Sequence, residues 1–151
     1  MKKIINLLLR LLPSKPVYAH CDIPCGIYDP HTAQLAAQTV LKMVQKILSE
    51  SLPEHGTEDK IKQSVINYNH AITRYTRVKE DHAEICKREI LILWTDYFKP
   101  EHLEKFPDLH DLIWKTCKLC SDNKRGVDEA KAQELVEAVD KIADIFNKTK
   151  K

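Results

Sequence analysis

The residues of this chain with the most chemistry to offer lie close together near its N-terminus. Residues 20–30 read HCDIPCGIYDP, so two thiols, an imidazole, a phenol and two carboxylates occupy eleven positions. Thiolates and imidazole nitrogens are common ligands of transition metals. Cys21 and Cys25 stand beside Pro24 and Gly26, which is typical of a loop. The pattern predicts a metal site, a small Cys21–Cys25 disulfide or two unused thiols, and the residue types alone leave all three open.

The residues in front of this loop have the features of a removable leader. They read MKKIINLLLRLLPSKPVYA, with a basic start, a short apolar run broken by Arg10, and Ala19 at the end. The apolar run is much too short to span a bilayer. We predict cleavage after Ala19, which makes residues 1–19 the leader, and a retained amphipathic helix is the alternative.

Cleavage after Ala19 would change what the loop can bind. The new N-terminal amine of His20, the backbone nitrogen of Cys21 and the Cys21 thiolate are spaced to close two fused five-membered chelate rings. Cys25 adds a second thiolate, and the His20 imidazole can approach as a fifth, axial ligand. A plane of two nitrogens and two sulfurs suits Ni(II) or Cu(II), whereas structural Zn(II) prefers a tetrahedron. Leader removal would therefore be the step that completes the site.

The remaining sequence predicts a helical scaffold that holds this loop. Apolar residues recur every three or four positions, and no alternating strand pattern competes with them. Asp29 can cap the first helix and Pro30 suits its first turn, and the helix runs to about Ser51. Thr57 can cap the second segment, residues 57–99, which contains no Pro or Gly and predicts one long helix that Pro100 ends.

Two further helices complete the scaffold. The third follows residues 106–108, and Asp128 caps the fourth. Short turns between amphipathic helices predict an all-α fold, an antiparallel four-helix bundle over residues 31–148 with residues 20–30 as an N-terminal metal-binding hook. We expect the helical stripes to be core, including the seam of the second helix: Ile61, Val65, Tyr68, Ile72, Tyr75, His82, Cys86, Ile90, Leu93 and Tyr97.

Charge limits the classes of partner. Four of the 24 basic residues and none of the 22 acidic ones lie in residues 1–19, so residues 20–151 carry 20 basic against 22 acidic side chains, a net charge of −2. That balance offers no basic stripe for nucleic acid. We expect neither a nucleic-acid nor a membrane partner.

The other cysteines and histidines have structural interpretations. Cys86, Cys117 and Cys120 follow helical spacing and are predicted to be buried core thiols. His82 and Cys86 lie four positions apart on one helix face and could chelate, but core packing or an interface contact is the expectation. Trp94 and Trp114 are expected in the core or at subunit contacts. Surface or turn positions are predicted for His31, His55, His70, His102 and His110.

The segment HCDIPCGIYDP behind a short leader resembles the nickel-binding hook of nickel-dependent superoxide dismutases. LWTDYFKPEH at residues 93–102 and FPDLH at 106–110 are similar to the end of that family's long helix and the turn after it. The resemblance covers residues 20–148. It implies a superoxide dismutase with one nickel ion per mature subunit, assembled as a homohexamer and trimmed by a maturation protease.

The resemblance also implies roles for individual residues. The nickel ligands would be the amine and imidazole of His20, the amide nitrogen and thiolate of Cys21, and the thiolate of Cys25. Asp22 and Tyr28 match positions that line the substrate approach. Tyr97 and Lys99 match positions near the hook, where Lys99 would attract an anion.

Two positions depart from the family pattern. A first-helix glutamate that holds the axial imidazole, and a second-helix arginine behind it, are replaced by Ala36 and His82. A methyl group cannot orient an imidazole, so the surroundings of the His20 ring must differ here.

Other readings of the same residues stay open on sequence alone. One is a secreted, non-enzymatic helical module with a Cys21–Cys25 disulfide, and another is a metal carrier that binds nickel or copper without turnover. The family's short leaders and the interruption at Arg10 favour a cytoplasmic protein, with export after cleavage as the alternative.

Overall fold

The computed structural model describes residues 27–53 and 55–150. The predicted leader, and residues 20–26 of the predicted hook, lie outside these residues. All regular structure in the described ranges is helical, which confirms the all-α prediction. The elements are α1 (His31–Ser49), α2 (Glu58–Ile92), a π-helical turn (Leu93–Tyr97), α3 (Pro100–Lys105), α4 (Leu109–Arg125) and α5 (Glu129–Thr149).

The four long helices form an antiparallel bundle. Each packs on two others: α1 and α4 both contact α2 and α5. Side-chain bonds fix the directions, since Gln34 bonds Asp140 and Gln45 bonds Glu129 across α1 and α5, in opposite order along the two helices. The buried interior is aliphatic with one large ring, and includes Val40, Val44, Ile90, Leu135, Ile142 and Phe146. Burying each such side chain contributes about 1.5–3 kcal/mol, which makes this core the main support of the fold.

Two of the three predicted helix caps are present. Asp29 Oδ1 accepts a hydrogen bond from the His31 backbone nitrogen at 2.7 Å, and Asp128 Oδ1 accepts one from Lys131 N at 3.1 Å. Thr57 stands at the start of α2 with extended backbone, but its side chain makes no capping bond. The caps at Asp29 and Asp128 satisfy backbone donors that the first turn leaves unpaired.

The prediction that Pro100 ends the second helix is confirmed, but Pro100 also begins another helix, which the sequence pattern did not predict. The π-helical turn ends at Tyr97, Phe98 and Lys99 are extended, and Pro100 begins the short helix α3. Proline disfavours helical backbone in the residue before it, and Lys99 accordingly has φ −123° and ψ 163°. The same ring suits the first position of a new helix, so Pro100 separates two helices.

The apolar seam of α2 is only partly buried, which corrects the expectation that all of it is core. Ile61 and Val65 remain 40% and 37% exposed, whereas Cys86 and Ile90 are fully buried. The 35 residues of α2 span about 52 Å and the 19 residues of α1 about 28 Å, so the first turns of α2 extend past the helix that would cover them.

None of the helices in the described residues combines the length and the apolar character needed to cross a bilayer.

Candidate functional site

The first described residues of the chain meet the bundle at an aromatic cluster around Tyr97. The Tyr28 ring lies 5.7 Å from the Tyr97 ring, centroid to centroid, at 57°. Phe146 of α5 packs closest, at 4.4 Å, and Phe98 and His102 complete the group at 5.2 Å and 5.7 Å. We call these five residues the Tyr97 cluster. It holds Tyr28, three residues after the predicted ligand Cys25, against a rigid part of the fold.

The π-helical turn explains why Tyr97 reaches this position. Phe98 N donates to Leu93 O at 2.9 Å, five residues back, instead of to the carbonyl four residues back. The extra residue in the turn rotates the following side chains relative to the preceding helix. Leu93 stays buried in the core and Tyr97 packs on Phe146. Single π turns inside α-helices are often found at functional sites.

The Tyr97 hydroxyl is tied to the last turn of α5. Its oxygen lies 3.0 Å from Thr149 Oγ1, which in turn donates to the Phe146 carbonyl at 2.8 Å. Ring contact and hydroxyl contact therefore both connect Tyr97 to α5, and they come from residues three positions apart on that helix.

His102 of the Tyr97 cluster is hydrogen-bonded to the neighbouring residue Lys99. Lys99 N donates to His102 Nδ1 at 3.2 Å, and His102 N donates to Lys99 O at 2.9 Å. Because Nδ1 accepts, the hydrogen of the neutral imidazole is on Nε2. Among the residues that the structure describes, no carboxylate pairs with the Lys99 ammonium. The positive charge of the Lys99 ammonium, with no carboxylate paired to it among the described residues, is available to attract an anion.

A small open cavity of about 230 Å³ lies beside Lys99. It is lined by Trp94, Phe98, Lys99, Pro100 and Leu103. Two larger surface cavities, of about 450 and 370 Å³, are lined by other residues of α1, α2 and the π-helical turn and contain no predicted site residue. Size alone would therefore point away from the Tyr97 cluster.

The structure brings some predicted site residues together and leaves others untested. Tyr28 and Tyr97 are in contact, and Lys99 follows two residues after Tyr97. His20, Cys21, Asp22 and Cys25 lie outside the described residues. Sequence reasoning placed His102 on the surface, but its side chain is only 12% exposed and belongs to the cluster. It also missed Phe146 and Thr149, which no local pattern links to Tyr97.

The cysteines inside the bundle are poor metal ligands. Cys86 and Cys120 are buried and Cys117 is half-buried, largely as predicted. A hydrogen bond with Cys86 and burial raise the pKa of the Cys120 thiol far above its usual range, and burial raises the pKa of Cys117. Metals bind the thiolate, which these surroundings disfavour. In the described part of the chain, no group of three or more His, Cys, Asp or Glu side chains could hold a metal ion.

The two positions that depart from the family pattern have structural roles in the bundle. Ala36 is buried in the core, 2% exposed. His82 Nδ1 lies 2.8 Å from the Val78 carbonyl one turn back on α2, so Nδ1 carries the hydrogen and donates it there. This bond accounts for the orientation of the His82 ring without chelation by His82 and Cys86.

Known proteins that resemble this chain match it over most of its length. The family model described as nickel-containing superoxide dismutase matches residues 15–150. A superoxide dismutase [Ni] of Streptomyces coelicolor is 38% identical over 139 residues, which are 92% of this chain and 94% of that protein. A native structure of nickel superoxide dismutase superposes with a TM-score of 0.71 at 38% identity, covering 87% of this chain and all of the other. A second structure, with nickel ligation corresponding to the state after partial X-ray-induced reduction, gives 0.71 at 34% identity over 86% and 97% of the two chains.

Proposed function

Since the chain belongs to the nickel-containing superoxide dismutase family, we propose that its reactive centre is the hook of residues 20–30, which becomes complete when residues 1–19 are removed. The protein is an oxidoreductase that contains nickel and uses superoxide as substrate. It converts two superoxide ions and two protons into dioxygen and hydrogen peroxide. What we propose concerns where this happens and which residues do it.

The donor set of the hook fits nickel. Hydrogen bonding and burial raise the pKa of the Cys120 thiol, and burial raises the pKa of the Cys117 thiol, which disfavours the thiolate form that binds metal. The described side chains offer no cluster of metal ligands. His20, Cys21 and Cys25 are the donors left over, and they combine nitrogen with soft thiolate sulfur. In the proposed site nickel is held by the amine and imidazole of His20, the amide nitrogen and thiolate of Cys21, and the thiolate of Cys25.

Leader removal controls this ligand set. While Ala19 precedes His20, the His20 nitrogen is a peptide nitrogen and a poor donor. Cleavage turns it into an amine with a free lone pair. A protease that cuts between Ala19 and His20 therefore activates the enzyme. We propose that this cleavage and the enzyme's activity both take place in the cytoplasm.

Bound nickel supplies a one-electron couple, Ni(II)/Ni(III), which suits alternate oxidation and reduction of superoxide. The chain's contribution would be to bring the potential of that couple into range: two thiolates and a deprotonated amide would donate electron density, and the His20 imidazole would add a further nitrogen ligand. Ala36 cannot orient that imidazole, because its methyl group offers no hydrogen-bond acceptor.

The residues around the hook handle charge and protons. Lys99 attracts the superoxide anion, since its ammonium has no carboxylate partner in the described structure. Asp22 and Tyr28 line the approach, and Tyr97 holds the Tyr28 ring beside the bundle. The protons that hydrogen peroxide needs reach the reduced oxygen from Tyr28 or from water.

We propose a homohexamer as the working assembly. The exposed part of the α2 seam, with Ile61 and Val65 at 40% and 37% exposure, offers apolar area for a second copy, and so does Ile66, which lies outside the seam and is 51% exposed. Trp114 is also 56% exposed, which supports its expected role at a subunit contact.

The observation that carries the proposal is the match of HCDIPCGIYDP, directly behind Ala19, to a family whose members bind nickel. Its test is made on protein purified from the cells that produce it. We expect an intact mass that begins at His20, one nickel ion per subunit, and a native mass of six subunits. A mass that retains residues 1–19 in active protein would refute the hook.

Two cysteine variants separate the hook from the bundle thiols. Cys25→Ser removes a proposed ligand and should lose bound nickel together with superoxide consumption. Cys117→Ser is the matched control, because Cys117 is a half-buried thiol outside the hook, and it should keep both. Nickel retained without turnover in the unaltered protein would indicate a carrier, and nickel retained in Cys25→Ser would show that the ligand set is different.

A further inference from the structure

Three oxygen atoms form a chain from Tyr97 to the end of α5. Tyr97 Oη lies 3.0 Å from Thr149 Oγ1, and Thr149 Oγ1 lies 2.8 Å from the Phe146 carbonyl oxygen. Both distances are those of hydrogen bonds. A threonine hydroxyl carries a single hydrogen, so it can donate in only one of the two contacts.

The geometry determines which contact receives that hydrogen. A carbonyl oxygen can only accept, so a bond at 2.8 Å to Phe146 O requires the hydrogen to come from Thr149. Phe146 O also accepts from Lys150 N at 2.9 Å, and its two lone pairs accommodate both donors. If Thr149 turned its hydrogen to Tyr97, two acceptor oxygens would face each other at 2.8 Å with none between them. Tyr97 is therefore the donor to Thr149.

The packing of the Tyr97 ring prevents the phenol from escaping this arrangement. The centroid of the Phe146 ring lies 4.4 Å from that of the Tyr97 ring, and the centroid of the Phe98 ring lies 5.2 Å from it, edge-on. With the ring held and its only hydroxyl hydrogen directed to α5, the phenol oxygen can offer nothing but lone pairs to any other group.

We propose that Thr149 is a positioning residue for the dismutase reaction: it commits the Tyr97 proton to α5, so that Tyr97 acts toward the hook as a hydrogen-bond acceptor and not as an acid. This inference rests on the proposed function, because Tyr97 holds Tyr28, three residues after the proposed ligand Cys25. Its consequence is that the protons for hydrogen peroxide do not come from Tyr97. Tyr97 instead orients the hydroxyl or water that delivers them.

The first test needs neither nickel nor turnover. In the full chain labelled with ¹³C at the tyrosine Cζ atoms, we expect the Tyr97 hydroxyl proton to show a nuclear Overhauser contact with the Thr149 methyl group. Thr149→Ser keeps the hydroxyl, so the Tyr97 Cζ resonance should stay where it is in the unaltered chain, with the phenol donating its hydrogen bond. Thr149→Val has the same shape without the hydroxyl, and that resonance should shift. A Tyr97 hydroxyl proton in contact with Tyr28 in the unaltered chain would overturn the proposal.

The second test measures turnover of the nickel-loaded protein. Thr149→Val should lower kcat about tenfold at unchanged nickel content, with little change in KM, while Thr149→Ser restores the rate. In a Tyr97→Phe background, Thr149→Val should have no further effect, because there is no phenol left to orient. Equal losses in both backgrounds would show that Thr149 acts only on stability.

A control variant addresses the loss of a helical hydroxyl in general. Thr39 Oγ1 donates to the Leu35 carbonyl at 2.8 Å on an exposed part of α1, with no tyrosine attached. Thr39→Val should leave both the Tyr97 resonance and kcat unchanged. Because the magnetic-resonance result is independent of metal, it stands or falls separately from the nickel hook.

Discussion

At the scale of single residues, Lys79 combines a charge with almost complete burial. Its side chain is 1% exposed, and its ammonium donates to the carbonyls of Asn123, Lys124 and Gly126, the latter two at 3.1 and 2.8 Å. Those carbonyls lie at the end of α4, where helix geometry leaves acceptors without partners. Burial lowers the pKa of Lys79, and Glu80 opposes that shift. The lysine therefore caps one helix from the middle of another.

Lys79→Met tests this capping role. Methionine fills similar volume but donates no hydrogen bond, so up to three carbonyls lose their partner. We expect the free energy of unfolding to fall by about 3 kcal/mol, because a buried unsatisfied polar group costs about 1–3 kcal/mol and part of the end of α4 can rehydrate. Urea unfolding followed by circular dichroism measures the change.

Lys141→Met is the matched control, because Lys141 is exposed on α5. It should change the free energy of unfolding by less than about 0.5 kcal/mol. A similar small loss for Lys79→Met would mean that water replaces the ammonium at no cost.

At the scale of elements, the segment between α2 and α4 is where the helices stop being regular. The π-helical turn, two extended residues and the short helix α3 follow one another within residues 93–105. Each change of backbone has a local cause in the register shift at Phe98 and in Pro100. Together they bring Tyr97, Lys99 and His102 to one end of the bundle.

The start of α5 offers a test of local capping. Asp128 Oδ1 accepts a hydrogen bond from Lys131 N at 3.1 Å. Asp128→Ala removes that acceptor, and we expect a loss of about 1 kcal/mol in the free energy of unfolding. Asp108 has the equivalent position before α4 but makes no capping bond, so Asp108→Ala should cost much less. Equal losses would assign the effect to helix charge instead of the hydrogen bond.

At the scale of the whole molecule, ion pairs join helices that are distant in sequence. Lys124 Nζ lies 2.8 Å from Glu84 Oε2, which links α4 to α2. Asp122 pairs with Arg125 on its own helix at 2.8 Å and with Lys131 of α5 at 3.3 Å. The hydrogen bonds from Arg125 and Lys131 lower the pKa of Asp122 below its ordinary value of 3.8.

This shift predicts how stability depends on pH. A carboxylate with a lowered pKa in the folded state stabilises the protein above its unfolded pKa, and the contribution disappears as pH falls through the folded pKa. The melting temperature of the unaltered protein should therefore exceed that of Asp122→Asn at pH 7, and the difference should shrink below pH 3.8. Asp122 is at the surface, so high salt should also reduce the difference. A difference that is constant from neutral to acidic pH would contradict the ion-pair interpretation.

Much of the architecture was predictable because it follows from local rules. The 3.6-residue spacing of apolar side chains identifies α1, α2, α4 and α5, and Asp29 and Asp128 mark two of their starts. The hook segment was recognisable for a similar reason, since its donors are adjacent in the chain and the chemistry of adjacent donors needs no fold to be described. Membership of the family confirms nickel as the cofactor and superoxide as the substrate, while the assignment of the nickel ligands stays a prediction.

The rest depends on packing between segments far apart in sequence. The Tyr97 cluster joins residues 28, 97 and 146, and the contact of Tyr97 with Thr149 spans 52 positions. The exposed seam at Ile61 and Val65 arises from the unequal lengths of α1 and α2. Helical periodicity states which face of a helix is apolar, but not which partner covers it or whether one does. The chain's order of residues thus determined the helices and the donors, and the tertiary structure decided what stands beside them, because contacts between distant segments are set by the packing of the whole bundle.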